Sequence, residues 1–350
     1  MPSTGIKNIC LMQFQVPIHI KPFTPSITYQ DKILLIGSCF TEHIGNYLID
    51  VKFNALQNPN GILFDPLSVY RSLVSYIHNK QYNEDELFYL NEAWHSWNHH
   101  SKFSHFNKET ALQNINASQQ KAHDFLKETD WLIITLGSSF VYKFSDDDSL
   151  TIKRKVEGEF VSNCHKAPAQ TFIKHLCTIE EIVTVLDNTI HQLFYFNQKL
   201  KIIFTISPVR HVRDGVIENN RSKARLIEAV HHLVNKFDRL YYFPAYELVI
   251  DVLRDYRFYD IDMVHPNYAA TQFVLEKFSE TCLNQETREL MEDIRKIVIA
   301  RNHKPFNPGS QQHQRFLQTN SEKVKHLQQK YPFLDFSKEL SYFSVSSIDD

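Results

Sequence analysis

The sequence predicts an α/β protein built on a mostly parallel central sheet. Apolar runs of strand length occur at residues 32–36, 131–136, 201–207 and 240–243. Between them, apolar residues recur at helical spacing in residues 65–79, 108–128, 179–196 and 219–237. This alternation is typical of a parallel sheet covered by helices on both faces, which binds ligands at the carboxyl ends of its strands. Ser38, Gly137 and the segment from Ser207 all follow such strand ends.

The elements are predicted in the following order. Residues 33–36 are a continuous aliphatic run, typical of a strand buried on both faces, and a helix follows Gly37 because apolar residues recur at helical spacing from Phe40. Residues 80–107, rich in aromatic residues and His, and about 143–170 are two insertions, and Asp146-Asp147-Asp148 marks an exposed turn in the second. One domain is predicted over residues 1–300. Residues 301–350 form a linker and a helical tail, which either docks on the domain or joins copies of the chain in a homo-oligomer.

Composition favours an ordinary globular enzyme. The 350 residues are 43% hydrophobic and 22% charged, and the formal net charge is −2. The basic residues are dispersed, so nucleic acid is not expected as a partner. The 8 glycines form neither a Gly-x-Gly-x-x-Gly pattern nor a phosphate loop, so no nucleotide cofactor is expected.

The chain shows no sign of a membrane segment. No run approaches about 18 apolar residues, and residues 1–20 lack the pattern of a signal peptide. The 5 cysteines are scattered without a Cys-x-x-Cys pair and are interpreted as reduced thiols. We therefore expect a cytoplasmic location.

Ser38 is the first candidate for catalysis. It lies where the first strand gives way to a helix, and the N-terminus of a helix favours negative charge beside its hydroxyl. The alternative is that Ser38 merely caps the helix, a role for which Ser is among the preferred residues. Cys39, next in the chain, is interpreted as a packing residue, with a thiol nucleophile as a lesser alternative.

A second pair of residues fits a catalytic base. Asp262 and His265 are three residues apart, close enough for the carboxylate to hold one imidazole N–H and fix the tautomer. The other ring nitrogen is then free to take a proton from a serine hydroxyl. Pro266 is predicted to open the next helix. Alone, such spacing is more often a surface pair.

Short motifs occur in a fixed order over residues 30–275. The first is Gly37-Ser38-Cys39-Phe40. The others are Asn58-Pro59-Asn60-Gly61-Ile62, Thr135-Leu136-Gly137, Asn163-Cys164-His165-Lys166, Ser207-Pro208-Val209-Arg210-His211, Asn219-Asn220-Arg221-Ser222-Lys223-Ala224 and residues 246–259. In these motifs the chain resembles the GSCFA domain family within the SGNH/GDSL hydrolase superfamily, with Thr41 where the family name has Ala. The resemblance implies a flavodoxin-like three-layer α/β/α fold with Ser38 as nucleophile. Asp262 and His265 would complete the triad.

The resemblance leaves the oxyanion donors open. The superfamily carries Gly-x-Asn-Asp after a central strand, whereas this chain has Gly137-Ser138-Ser139-Phe140 there. Asn163 is one replacement for that Asn, although Asn is equally favoured in turns. The backbone N–H groups of Ser38 and Gly61 are the other expected donors. His165 is expected to line the pocket.

The sequence therefore predicts a serine esterase or acyltransferase acting on a small-molecule or glycan acyl ester, with no cofactor and no metal. Arg210 and His211 are expected to bind substrate, although Arg210 could instead pair with Glu247 or Asp255. Two alternatives stay open. One is a non-catalytic module that binds a carbohydrate or a protein; the other is a metal-dependent hydrolase, for which His95 and His99 have a suitable i, i+4 separation.

Overall fold

The computed structural model describes residues 15–145 and 160–344. Its strands are β1 Lys32–Gly37, β2 Asn54–Gln57, β3 Leu87–Leu90, β4 Ala93–Ser96, β5 Trp131–Leu136, β6 Phe140–Phe144, β7 Phe160–Val161, β8 Phe172–Leu176, β9 Lys201–Ile206 and β10 Leu240–Phe243. Its helices are α1 Cys39–Asp50, α2 Pro66–Ile77, α3 Lys108–Lys127, α4 Ile179–Phe196, α5 Val216–Lys236, α6 Ala245–Glu247, α7 Tyr268–Cys282, α8 Gln285–Asn302, α9 Gln311–Lys330 and α10 Ser337–Ser344. The predicted turn at residues 146–148 lies outside the described residues.

The predicted parallel sheet is confirmed. Within the described residues it has five strands in the order β10-β9-β5-β1-β2, all parallel. All four predicted strands belong to it. The sequence did not predict β2, which pairs with β1 at one edge.

Helices cover both faces of this sheet. Alternate residues of β1 enter different cores: Ile33 and Leu35 pack in a core with α1 and α7, and Leu34 and Ile36 pack in a core with α2 and α4. The chain runs from β1 outward to β2 and then returns to β5 on the other side of β1. Such a reversal opens a crevice at the carboxyl ends of the two central strands.

The two insertions form small antiparallel sheets. Strands β3 and β4 pair as a hairpin, and β6 pairs with both β7 and β8. Phe88 of the hairpin stacks on Trp97, with ring centroids 3.6 Å apart, and Trp97 meets Phe144 and Phe172 edge on. The aromatic residues therefore join the insertions to each other.

The C-terminal tail docks on the domain. Val324, Phe336 and Phe343 are buried in the same core as β1 and α1. The fully buried carboxylate of Glu339 accepts a hydrogen bond from Arg301 at 2.6 Å. Lys52, just beyond the end of α1, forms an ion pair with the other carboxylate oxygen at 2.8 Å. The tail thus fixes the C-terminal end of α1.

We predict that Glu339→Gln destabilises the protein by about 3 kcal/mol, because it leaves two cations around a neutral group in a buried site. Urea unfolding measures the change. The matched control is Glu280→Gln, which removes an exposed ion pair with Lys277 and should cost less than about 1 kcal/mol. Equal losses in both variants would mean that the Glu339 carboxylate does not fasten the tail.

Candidate active site

Ser38 lies at the sharp turn between β1 and α1. Gly37 has φ +148, and a Cβ there would stand 2.2 Å from the Thr135 carbonyl oxygen of β5, so only glycine fits. Ser38 is 1% exposed, and its Oγ accepts the Phe40 N–H at 3.2 Å. Ser38 is therefore the N-cap of α1, and its hydroxyl lies at the positive end of that helix.

Asp262 and His265 form a hydrogen-bonded pair. Asp262 Oδ2 lies 2.7 Å from His265 Nδ1, and Oδ1 accepts the N–H groups of Val264 and His265 at 2.9 and 3.0 Å. The bond from the His265 ring, helped by both N–H groups, lowers the pKa of Asp262 to about 2. An ionised carboxylate only accepts, so Nδ1 carries a hydrogen, and the neutral form of this ring has its lone pair on Nε2.

The loop that carries this pair is fastened to the central sheet. The Arg210 N–H, just past the end of β9, donates to the Val264 carbonyl oxygen at 3.1 Å, and the Asp260 N–H donates to that of His265 at 2.8 Å. Pro266 pairs with Tyr259 in a β-bridge, and Asn267 caps α7. The prediction that Pro266 opens the helix is wrong, because Asn267 supplies the side-chain oxygen that a helix start requires.

Ser38 and His265 lie at the same edge of the sheet. Ser38 follows β1, and the His265 loop is bonded to the segment that follows β9, two strands away. Both residues belong to the described part of the chain, and no hydrogen bond joins them there. The side chains of His265 and Asp262 are 44% and 47% exposed, whereas Ser38 is enclosed.

Gly137 and His211 lie together between these two groups. The His211 ring stacks on Phe64 with centroids 4.8 Å apart, and a Cβ on Gly137 would stand 3.1 Å from His211 Nε2. Burial, followed by the charges of Lys223 and His265, lowers the pKa of His211 to about 3. Its Nε2 is buried without a hydrogen-bond partner among the described residues. His211 is thus a neutral ring beside the His265 loop.

Arg210 is held by aromatic rings rather than by an acid. Its guanidinium lies 4.1 Å from the ring centroid of Tyr259 and 5.1 Å from that of Tyr256. The two acids considered from the sequence have other partners: Glu247 accepts the Tyr242 hydroxyl, and Asp255 pairs with Arg257. Arg210 therefore helps to position the His265 loop, through the hydrogen bond of its backbone N–H and through the contacts of its guanidinium with the two rings.

The two backbone donors predicted for the oxyanion are already used. The Ser38 N–H donates to the Thr135 carbonyl oxygen at 3.3 Å, and the Gly61 N–H donates to that of Asn58 at 2.8 Å. Gly61 has φ +83 and closes a turn, which directs its N–H back into the chain. At the start of α1 the Phe40 and Thr41 N–H groups both bond to Ser38, which leaves the Cys39 N–H without an intrahelical acceptor.

Asn163 is a turn residue, which was the alternative to its predicted role as an oxyanion donor. Its Oδ1 accepts the His165 N–H at 2.8 Å. The His165 ring turns into the insertions, where Nε2 lies 2.8 Å from the Ser96 carbonyl oxygen and the ring centroid is 4.7 Å from that of His95. His165 is buried, and burial lowers its pKa to about 4. In the structure His165 is a packing residue of the insertions.

Of the two histidines considered for a metal, His99 bonds to Ser96 Oγ through Nδ1 and has no hydrogen-bond partner for Nε2 among the described residues. His95 bonds to Ser104 Oγ through Nδ1 and to the Leu90 carbonyl oxygen through Nε2. Across the described residues, one group of potential ligands lies within 4.8 Å of one another: His175, Cys177 and Glu181. There His175 already pairs with both oxygens of Glu181 at 3.0 Å.

The sequence did not predict that a polar cluster on α5 belongs to the site. Asn219, Ser222 and Lys223 are all buried on the side of the helix that faces the sheet edge. Ser222 Oγ accepts the Ser139 N–H at 2.7 Å, Asn219 Oδ1 accepts the His211 N–H at 2.8 Å, and Lys223 bonds to strand ends. The sequence pattern could have indicated this. The three polar residues precede Leu226, Ala229 and Leu233 at helical spacing, so they lie on the same buried face of the helix.

Two family models match the chain. The model of the GSCFA family matches residues 32–278, from β1 to α7. That of the GSCFA domain protein, C-terminal domain, matches residues 294–346, which include α9 and α10. The chain therefore belongs to the GSCFA family. Among curated proteins none matches it significantly. No helix in the described residues is both long enough and apolar enough to cross a membrane.

We predict that the protein becomes less stable in acid, because two of its buried histidines have lowered pKa values. Burial lowers the pKa of His99 to about 3 and that of His165 to about 4, both below the 6.5 of an exposed His. Below pH 6.5 the unfolded chain binds more protons, so the free energy of unfolding falls as pH falls, by up to about 1.4 kcal/mol per unit for each group. Urea unfolding between pH 4.5 and 7.5 measures this slope.

His99→Asn should make that slope shallower, since Asn does not titrate. His191→Asn is the control because the His191 side chain is 62% exposed, and its slope should match that of the unmodified protein. A slope unaffected by His99→Asn would contradict the assignment.

Proposed function

We propose that this protein is a serine-dependent esterase or acyltransferase of the SGNH/GDSL type. The single observation that carries the proposal is the Asp262–His265 pair, whose fixed tautomer leaves Nε2 as a free base at the edge of the sheet where Ser38 lies. The site has the parts of a hydrolytic triad in an open arrangement.

The strand order supports the superfamily assignment. Counting only the parallel strands along the chain, the order is 2-1-3-4-5, which is that of flavodoxin-like doubly wound sheets. In such sheets the ligand binds where the order reverses, between the first and third strands. Ser38 and Gly137 follow those two strands directly.

The proposed reaction has two steps. Ser38 Oγ attacks the acyl carbonyl carbon while its proton passes to His265 Nε2, and the negative charge moves to the carbonyl oxygen. His265 then protonates the leaving alkoxide, which departs and leaves an acyl-enzyme. Water or a second alcohol, deprotonated by the same nitrogen, attacks the acyl carbon; the bond to Ser38 Oγ breaks, and His265 returns the proton to Ser38. Asp262 orients His265 and stabilises its charged form.

The oxyanion donors of this proposal differ from those expected from the sequence. The Cys39 N–H at the start of α1 replaces those of Ser38 and Gly61, which are committed to the carbonyl oxygens of Thr135 and Asn58. The side-chain amide nitrogen of Asn163 is retained as a second donor, because Oδ1 alone is used in the turn. Removing such a donor typically costs about 10²- to 10³-fold in rate.

The proposal requires the His265 loop to close on Ser38 when substrate binds. Ser38 is fixed by the backbone of Gly37 and by its capping bond, whereas His265 lies on an exposed loop. Catalytic hydrogen bonds are often long in free enzymes and shorten in the complex with substrate. The mobile partner is therefore the base rather than the nucleophile.

A non-catalytic binding module is the second candidate, and the burial and capping role of Ser38 favour it. A thiol nucleophile at Cys39 is disfavoured, since burial raises the pKa of that thiol. Metal analysis of the purified protein, with esterase activity before and after chelation, tests the metal-dependent alternative.

For the compartment we propose the cytoplasm, because the cysteines within the described residues are free thiols.

The substrate class is proposed as an acyl ester, with O-acetylated glycans as one example from the superfamily. Hydrolysis of p-nitrophenyl esters of graded chain length, with and without sugar acceptors, separates short from long acyl groups and hydrolysis from transfer.

We predict that Ser38→Ala abolishes esterase turnover and labelling by a fluorophosphonate probe, while unfolding measurements show a loss of only about 1 kcal/mol from the missing cap. The control is Ser310→Ala, which removes the corresponding cap of α9 and should keep full labelling. A folded protein whose labelling survives Ser38→Ala would rule out Ser38 as nucleophile.

We predict that Asp262→Asn slows labelling of Ser38 by about 10²- to 10⁴-fold, because the amide favours the wrong imidazole tautomer. The rate constant for labelling at pH 7 measures the effect. The exposed Asp260 is the control, and Asp260→Asn should stay within about threefold of the unmodified protein, since a surface charge two residues away makes no bond to the ring. Equal rates in the two variants would remove Asp262 from the mechanism.

A further inference from the structure

Lys223 places an ammonium group beneath the carboxyl edge of the sheet. Its side chain is 1% exposed, and Nζ donates to the carbonyl oxygens of Gly137 and Ser207 at 2.6 Å each. Gly137 follows β5 and Ser207 follows β9, so Lys223 joins the ends of two neighbouring strands. No carboxylate forms an ion pair with it in the described part of the chain.

An arrangement of this kind works against stability. A buried ammonium group loses its hydration, and two neutral carbonyl groups replace only part of it. Burial accordingly lowers the pKa of Lys223 to about 7. An apolar chain of similar length would avoid that penalty but would leave the two carbonyl oxygens without a donor. A neutral amine would donate to both equally well, so the charge itself calls for a reason other than folding.

The position of the charge supplies a reason. Gly137 follows β5, the neighbour of the strand that Ser38 follows, and Ser207 follows β9, to whose continuation the His265 loop is bonded through Arg210. Lys223 therefore lies at the strand ends between the proposed nucleophile and the proposed base. In a site of low dielectric constant a fixed charge at that place acts on any negative charge that forms nearby.

We propose that Lys223 is a positioning residue whose ammonium group sets the ends of β5 and β9 and stabilises the negative charge that forms when Ser38 attacks. This rests on the proposed function. Lys223 forms no bond to substrate and transfers no proton; the Ser38 proton goes to His265. Its charge supplements the oxyanion donors where the superfamily amide is missing after β5.

A fluorophosphonate probe tests this role without knowledge of the natural substrate. In the labelling step the bond between Ser38 Oγ and phosphorus forms, the phosphorus–fluorine bond breaks, fluoride leaves and the proton passes to His265. We would measure the rate constant for labelling between pH 5.5 and 9 in the unmodified protein, in Lys223→Met and in Lys223→Arg. Lys236→Met, at the exposed end of the same helix, is the matched control.

The pH profile distinguishes an electrostatic role from a merely structural one. Burial lowers the pKa of Lys223 to about 7, so labelling of the unmodified protein should fall as the pH rises through that value and the ammonium group loses its charge. Lys223→Met should label about 10²-fold more slowly at pH 6 and lack the falling limb. Lys223→Arg, charged throughout, should recover part of the rate without that limb, and Lys236→Met should follow the unmodified protein.

The outcomes separate the two proposals. If the unmodified protein is not labelled at any pH, the proposed function is wrong and the role of Lys223 in it falls too. If it is labelled and Lys223→Met gives the same rates and the same profile, the role of Lys223 is wrong while the proposed function stands. Circular dichroism establishes whether Lys223→Met is folded. If it is not, the unmodified profile decides, and the absence of a falling limb overturns the proposal.

Discussion

The absence of a side chain at Gly37 is the constraint on which the carboxyl edge of the sheet depends. With φ +148 and no Cβ, the end of β1 runs within hydrogen-bonding distance of Thr135 on β5. The Gly37 N–H donates to Asn58 Oδ1 at 2.9 Å, which ties the same point to the end of β2. Three strand ends therefore meet around one residue, and Ser38 takes its place from the backbone rather than from its own contacts.

Helix α5 divides its buried face between stability and polar contacts. Its C-terminal half buries apolar side chains in the core below the sheet, including Leu226, Val230 and Leu233. These supply the burial that holds the helix in place. Its N-terminal half carries the polar residues Asn219, Ser222 and Lys223. They form hydrogen bonds with backbone N–H and carbonyl groups of the loops that follow the strands at the carboxyl edge of the sheet. Packing at one end of the helix thus permits unfavourable burial at the other.

The sequence predicted the elements whose burial is simplest. Residues 131–136 form a strand buried at every position, so the apolar run had one interpretation. Strand β2, Asn54–Gln57, was missed because it is a short edge strand with polar ends and no periodic signal. The small sheet of β6, β7 and β8 was missed for a related reason: its strands pair across a long insertion, and pairing between distant segments leaves no local pattern.

At the site, residue types were easier to predict than directions. The pairing of Asp262 with His265 followed from a three-residue spacing, and the structure has it. The backbone donors could not be inferred, because whether an N–H points outward depends on the φ angle and on nearby carbonyl groups; the Gly61 N–H turns back to Asn58 for that reason. Lys223 lay in a segment noted only for its resemblance, and its burial depends on tertiary contacts.

The distribution of rigidity around the site bears on how it could work. Helix α1 is fixed at its start by the glycine turn and at its end by the ion pair of Lys52 with Glu339. Displacing Ser38 would break its cap and separate β1 from β5, which are both buried. The His265 loop is bonded to the segment after β9 by the Arg210 N–H and includes Met263 in the left-handed region at φ +57, a conformation that costs about 1–2 kcal/mol. In the proposed mechanism, movement of that loop is the less costly way to bring the two groups together, since it can relieve that strain and breaks single loop hydrogen bonds, not the pairing of two buried strands.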